Sequence, residues 1–125
     1  MILLLDAHAV LWALLEPEKL HSDARTALES PANDVVVSAV SIWELEIKRA
    51  LGKLRFHAEL VPELERTAMD VIPITAADAT SAARLPLLHR DPFDRMLVAQ
   101  ALRLEAVLVS RDTALMDYGV ELLPA

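Results

Sequence analysis

Apolar and polar positions along the chain fall into two kinds of block: short solid apolar runs, and longer stretches with helical spacing. Ile2 to Leu5 is an unbroken apolar run too short for a helix, and it predicts a buried strand ending at Asp6. Ala9 to Leu15 has helical apolar spacing and stops before Pro17. Ser22 to about Glu29 predicts a second helix, with Ala24, Ala27 and Leu28 on one stripe. After the turn residues Ser30 to Asp34, the β-branched run Val35-Val36-Val37 predicts a second strand.

Ser41 to Leu51 is the clearest helical pattern. It opens on Ser41-x-x-Glu44, read as a capping box, and closes at Gly52 as the C′ residue. A further helix is expected over about Glu59 to Met69. Val71 to Ile74 predicts a third strand near a sheet edge, because Pro73 cannot donate to a ladder. Thr75, with Asp78 three residues on, caps a helix to about Arg84. Asp91-Pro92 supplies N-cap and N1 of another, running to about Arg103. Val107 to Val109 predicts a fourth strand, and a helical turn leads past Gly119 to a last one over Val120 to Leu123. Solid apolar strands alternating with helices predict an α/β fold, a central parallel sheet of four to five strands flanked by helices.

The length of 125 residues fits one domain, 1–125. Hydrophobic residues are 54% of the chain and charged ones 25%, which excludes a disordered segment. The absence of cysteine removes disulfide scaffolds, thiolate metal sites and cysteine nucleophiles together. Asp6 and His8 interrupt the first apolar stretch, which also lacks a basic leader, so it does not read as a signal peptide. No run approaches the roughly 18 apolar residues of a membrane span. A soluble, cytoplasmic protein is expected.

In an open parallel sheet, ligands bind beyond the carboxyl ends of the strands. Asp6 follows the first strand directly and Asp112 lies just past the fourth. Glu44 is expected in the first turn of the helix after the second strand, and Asp94 in the first turn of the helix before the fourth. Asp91 is three residues before Asp94. Two carboxylates 4 Å apart repel by about 4 kcal/mol at an effective dielectric of 20, so a cluster of them calls for a cation. Oxygen donors alone select a hard one, Mg²⁺ or Mn²⁺. The reaction class that follows is metal-dependent phosphoryl hydrolysis. Each acid also has a local role: Glu44 in the capping box and four residues before Lys48, Asp91 as N-cap, Asp94 at a helix start, Asp112 opening a turn. Only Asp6, at the end of a buried run, lacks one.

Four segments carry a family resemblance: LLLDAH, SAVSIWELEIKRALGKL (Ser38 to Leu54), HRDPFDRMLVAQAL (His89 to Leu102) and VLVSRD (Val107 to Asp112). In this order they resemble PIN-domain nucleases, and more closely the VapC toxins of bacterial type II toxin–antitoxin systems. The resemblance implies a PIN-like three-layer sandwich and an RNA endonuclease. It implies that Asp6, Glu44, Asp94 and Asp112 form the acidic quartet holding Mg²⁺ or Mn²⁺, with Asp91 accessory. It further implies that Ser110 orients Asp112 or a metal-bound water. A VapB-type antitoxin and a homodimer are the implied partners. Ala7 departs from the family, standing where a hydroxyl residue is common.

Nineteen acids against twelve bases give a net charge of −7, unusual for a nucleic-acid binder. Locally the balance reverses. Lys48, Arg49, Lys53 and Arg55 put four bases within eight residues beside Glu44, and Arg90, Arg95 and Arg111 adjoin the later acids. Lys48, Arg49, Lys53 and Arg95 are candidate RNA contacts, set against a solvated, ion-paired helix face. Trp12 and Trp43 are expected in the core, with a second reading in which Leu11, Trp12 and Leu15 line a groove for an antitoxin helix. A positive mean hydropathy favours a buried subunit interface. His21, His57 and His89 receive no role, and His8 is not read as catalytic. Two rivals stand beside the nuclease: a Mg²⁺-binding receiver-like signalling domain and a non-catalytic partner-binding module. The receiver lacks its acceptor Asp after the third strand, which ends Ile74-Thr75, and a late lysine, none following Lys53.

Overall fold

Leu3, Leu4 and Leu5 have no exposed surface, and the structure is arranged around the strand they form. A computed structural model describes residues 1–125 as β1 (Ile2–Leu5), α1 (Ala7–Leu15), α2 (Ser22–Glu29), β2 (Asp34–Ser38), α3 (Ala39–Ala50), α4 (Leu60–Arg66), β3 (Asp70–Ile72), α5 (Ala76–Arg84), α6 (Pro92–Leu104), β4 (Val107–Ser110) and β5 (Leu122–Pro124). All strands run parallel in the order β3-β2-β1-β4-β5, so β1 is central. The predicted α/β class and five-strand count hold.

Successive side chains of β1 go to opposite faces, as strand geometry requires. Leu3 and Leu5 pack with Val37 and Val109 against Ala9 and Val10 of α1, Ala24 of α2, Leu45 of α3 and Leu60 and Leu64 of α4. Leu4 packs with Val36 and Leu108 against Leu97, Val98 and Ala101 of α6. Helix α5 lies on α6. The result is three layers, helices on both faces of one sheet. No helix is long and apolar enough to cross a membrane.

Element ends differ from expectation where a cap or a missing donor decides them. Helix α1 starts at Ala7, because the Asp6 carboxylate accepts from Ala9 N–H at 2.8 Å and caps it. Helix α3 starts at Ala39 straight out of β2, with Ser38 Oγ accepting from Val40 N–H. The expected Ser41–Glu44 capping box is therefore not formed. Ser41 is buried inside the helix, its hydroxyl donating to Leu5 O, and Glu44 falls in the second turn. Gly52 does lie past the helix end, at φ +74°, a conformation glycine adopts at little cost. Strand β3 ends at Ile72, where Pro73 stops the ladder, and it is an edge strand as expected. Helix α4 is shorter than Glu59–Met69, and β5 sits two residues later at its start than Val120. Neither tryptophan is core: Trp43 is 59% exposed against Phe93, and Trp12 is partly buried outside both apolar clusters.

The Thr75–Asp78 capping box forms in full. Asp78, 1% exposed, also accepts from Gln100 Nε2 at 3.1 Å and from the Arg103 guanidinium, tying α5 to α6. The Arg103 contact above all, helped by Thr75 and Gln100, holds this carboxyl far below the usual carboxylate range. A depressed folded-state pKa stabilises above the unfolded value of 3.8 and fades as pH falls below it. Asp78→Asn should cost about 1–3 kcal/mol of unfolding free energy at pH 7, the range for lost hydrogen bonds to a charged group. In urea melts the gap between variant and wild type should narrow as pH drops below about 4.

Candidate metal centre

The parallel register sets Leu5 level with Val37 and Val109, so β1, β2 and β4 end side by side. Asp6, the next residue, donates its N–H to Val109 O at 3.0 Å and stands at this carboxyl edge. Helix α3 leaves β2 without a loop and carries Glu44 back over the edge, 6% exposed. Helix α6 begins there with Asp91 at its cap and Asp94 in its first turn. Past β4, Ser110 Oγ accepts from Asp112 N–H at 3.0 Å and shapes the turn that presents Asp112.

The four expected acids and the accessory one meet. A cleft of about 160 Å³ is lined by Asp6, His8, Glu44, Lys48, Asp91, Asp94, Arg111 and Asp112, with no apolar residue among them. Ser110 lies buried beneath this lining. Three of the carboxylates also cap helices: Asp6 caps α1, Asp91 accepts from Phe93 N–H at 2.9 Å to cap α6, and Asp112 accepts from Ala114 N–H at 3.2 Å to cap a 3₁₀ turn over Thr113–Tyr118. The local and the chemical roles of these residues thus coexist, one oxygen serving the helix. Helix starts carry partial positive charge, which makes the cluster tolerable. Glu44 is met by Lys48 Nζ at 2.7 Å.

Asp94 sits in the first turn of α6 but caps no helix and meets no lysine or arginine. Burial first, then the charges of Asp91, Glu44 and Asp6, push its carboxyl up to about 7, although His89 pulls the other way. His8 is shifted down, by burial and then by Arg111 and Lys48, against the pull of Asp6, and so favours the neutral ring. Such a set fits a hard divalent ion: its donors are carboxylate oxygens, and the cation removes the repulsion that raises Asp94.

His89, to which sequence reasoning gave no role, completes the site. Its Nε2 lies 2.8 Å from Asp112 Oδ2 and 3.6 Å from Asp94 Oδ2, and one ligand atom from each of the three lies within 4.8 Å of the others. The signal available was position, a histidine two residues before a helix-capping Asp-Pro. Arg111 was noted only as a neighbour of Asp112; it lines the cleft and stands over the Trp12 ring at 5.8 Å.

Two candidate RNA contacts are corrected. Arg95 is 8% exposed and donates to the carbonyls of Ala82, Ala83, Leu85, Pro86 and His89, so its guanidinium closes the α5–α6 connection and does not face solvent. Arg49 is spent on Glu46, Phe56 O and Ala58 O and lies on the Phe56 ring. Lys48 is in the cleft, and Lys53 is exposed beyond the end of α3.

Comparison with known proteins gives one consistent picture. Residues 3–121 match the PIN domain family. Ribonuclease VapC22 of Mycobacterium tuberculosis (strain ATCC 25618 / H37Rv) is 30% identical over 118 residues, spanning 92% of this chain and 90% of its own. VapBC2 from Rickettsia felis, solved bound to a DNA fragment from its promoter, superposes with a TM-score of 0.72 at 16% identity, over 98% of each chain. A toxin–antitoxin complex from Klebsiella pneumoniae gives 0.64 at 18% identity, over 97% of this chain and 95% of that one. These two similarities establish the shared fold.

A folded-state pKa raised from 3.8 to about 7 destabilises the ionised, metal-free protein as pH rises through that window. Asp94→Asn should therefore raise unfolding free energy at pH 8 by about 1–3 kcal/mol, each pKa unit being worth about 1.4 kcal/mol. Below pH 4 the two proteins should melt alike. Chemical denaturation in a chelator checks both.

Proposed function

The chain belongs to the PIN domain family, and on that premise we propose that it is a VapC-type endoribonuclease, the toxin of a toxin–antitoxin pair, hydrolysing RNA phosphodiester bonds with Mg²⁺ or Mn²⁺. One observation carries the reading. Carboxylates from four distant segments meet in a wholly polar cleft where Asp94 is pushed up to about 7. Similarity to Ribonuclease VapC22 supports the choice of RNA over other phosphodiesters.

Asp6, Glu44, Asp94 and Asp112 would hold the ion, with Asp91 accessory and Ser110 fixing the Asp112 turn. When bound, a divalent ion supplies Lewis acidity, an activated water and stabilisation of the leaving oxygen. The chain itself does the rest. Lys48 and Arg111 are the two cations in the cleft wall and would meet backbone phosphates there. Lys53 extends that basic edge, while Arg49 and Arg95 are left out because their donors are already used. A net charge of −7 keeps general phosphate attraction low, so RNA is held locally, at the cleft.

A VapB-like antitoxin is the proposed inhibitor, supported by the toxin–antitoxin complexes among the similar structures. Leu11, Trp12 and the exposed Leu15 along α1 offer it an apolar stripe. A homodimer belongs to the same reading: Trp43, Leu87 and Leu88 are exposed apolar side chains that a second copy would cover. Action in the cytoplasm follows from the substrate. The receiver-like alternative falls with the family assignment and with β3, which ends at Ile72 and Pro73 and offers no acceptor carboxylate.

The purified chain should cleave RNA in Mg²⁺ or Mn²⁺ and stop in EDTA. Asp6→Asn and Asp94→Asn should each lower cleavage by about 100-fold or more, since a direct ligand is worth at least what a supporting residue is. Both should keep a native circular dichroism spectrum. Cleavage that survives EDTA, or an unimpaired Asp94→Asn, would sink the assignment, and a folded chain without metal-dependent cleavage would mark a partner-binding module.

A further inference from the structure

His89 is held more firmly than a loop histidine needs to be. Its N–H donates to the Tyr118 hydroxyl at 2.8 Å, and its carbonyl accepts from Arg95 at 3.2 Å. Tyr118 and Arg95 both also donate to Pro86 O, so the connection between α5 and α6 is pinned at two carbonyls by two side chains. The ring is gripped as well. Its Nδ1 accepts from Asp91 N–H at 3.3 Å, and its Nε2 stands 2.8 Å from Asp112 Oδ2.

Those two contacts point to where the ring proton sits. A ring nitrogen that accepts a backbone N–H carries no proton, so the neutral imidazole bears it on Nε2 and donates to Asp112. Asp112 is then held from two sides, Oδ2 by His89 and Oδ1 by Ala114 N–H at 3.2 Å, which fixes the plane of its carboxylate. Acting as a ligand through Nε2 would require the proton to move to Nδ1, against the Asp91 N–H.

We propose that His89 is a positioning residue of the metal centre, its Nε2–H orienting the Asp112 carboxylate beside Asp94 before any ion arrives. This rests on the metal-centre reading above. It makes the chain from Arg95 and Tyr118 through His89 to Asp112 a supporting layer for the site. Residues that orient ligands in this way are typically worth about 10–100-fold in metal affinity.

The test needs no RNA. The full chain is titrated with Mn²⁺ by calorimetry at pH 7.5. His89→Ala should bind Mn²⁺ about 10–100-fold more weakly than wild type. His89→Gln, whose side-chain amide can donate to the same oxygen, should recover most of that loss. Nitrogen-15 NMR of the metal-free protein should find the His89 proton on Nε2. Unchanged Mn²⁺ affinity in His89→Ala overturns the proposal while leaving the metal centre standing. A proton on Nδ1 with Nε2 bare, or a glutamine variant as weak as the alanine one, overturns it in favour of the ring as ligand. A wild-type chain that binds no Mn²⁺ overturns both readings at once.

Discussion

Like charges forced together are the constraint around which this molecule is organised. Five carboxylates share one small cleft, and at an effective dielectric of 20 each pair at 4 Å costs about 4 kcal/mol. The fold answers with what its own geometry provides. Parallel strands place helix starts at one edge of the sheet, and those starts carry partial positive charge. Asp6, Asp91 and Asp112 each cap one of them, so the residues that create the repulsion also attach to what relieves it. Lys48 covers Glu44 and Arg111 borders the rest. Asp94 has neither a cap nor a lysine or arginine partner, and its burial first, then the charges of Asp91, Glu44 and Asp6, raises its pKa.

Behind the cleft lies a support that uses no carboxylate. Arg95 gathers five carbonyls, two from the last turn of α5 and three from the connection to α6, and Tyr118 joins it at Pro86 and His89. A buried guanidinium surrounded by carbonyl oxygens is satisfied without a counter-charge, which keeps it from competing for the acids in front. Asp78 of α5 plays the opposite part toward the C-terminal end of α6, a buried carboxylate satisfied by Arg103, Gln100 and Thr75. Helix α6 is thereby fixed along its length, and with it the angle at which Asp94 meets the cleft.

Much of this was legible in the residues. Asp6 stood out because it ends a solid apolar run with no turn to explain it. Asp91-Pro92 and Thr75-x-x-Asp78 marked helix starts correctly because caps act within four residues of chain. Ser41-x-x-Glu44 has the same form and misled, since β2 runs directly into α3 and Ser38 takes the cap first. Arg95 looked like a surface base because nothing local shows that distant carbonyls converge on it. His89 was passed over for the same reason: its partner Asp112 is 23 residues away, and only the sheet brings them together. Trp43 read as core from its helical spacing, yet its ring packs edge-on against Phe93 and leaves 59% of the residue exposed.

Shared duty at the caps has a consequence for how such a chain can lose its chemistry. Asparagine begins a helix about as well as aspartate. One oxygen exchanged for an amide nitrogen at Asp6, Asp91 or Asp112 would thus disarm the cleft while its outline persists. Alanine at the same place would fray the helix it starts. If the chain has the proposed antitoxin, a disarmed copy of this kind would keep its grip on it, and by soaking up that restraint it would act as a decoy.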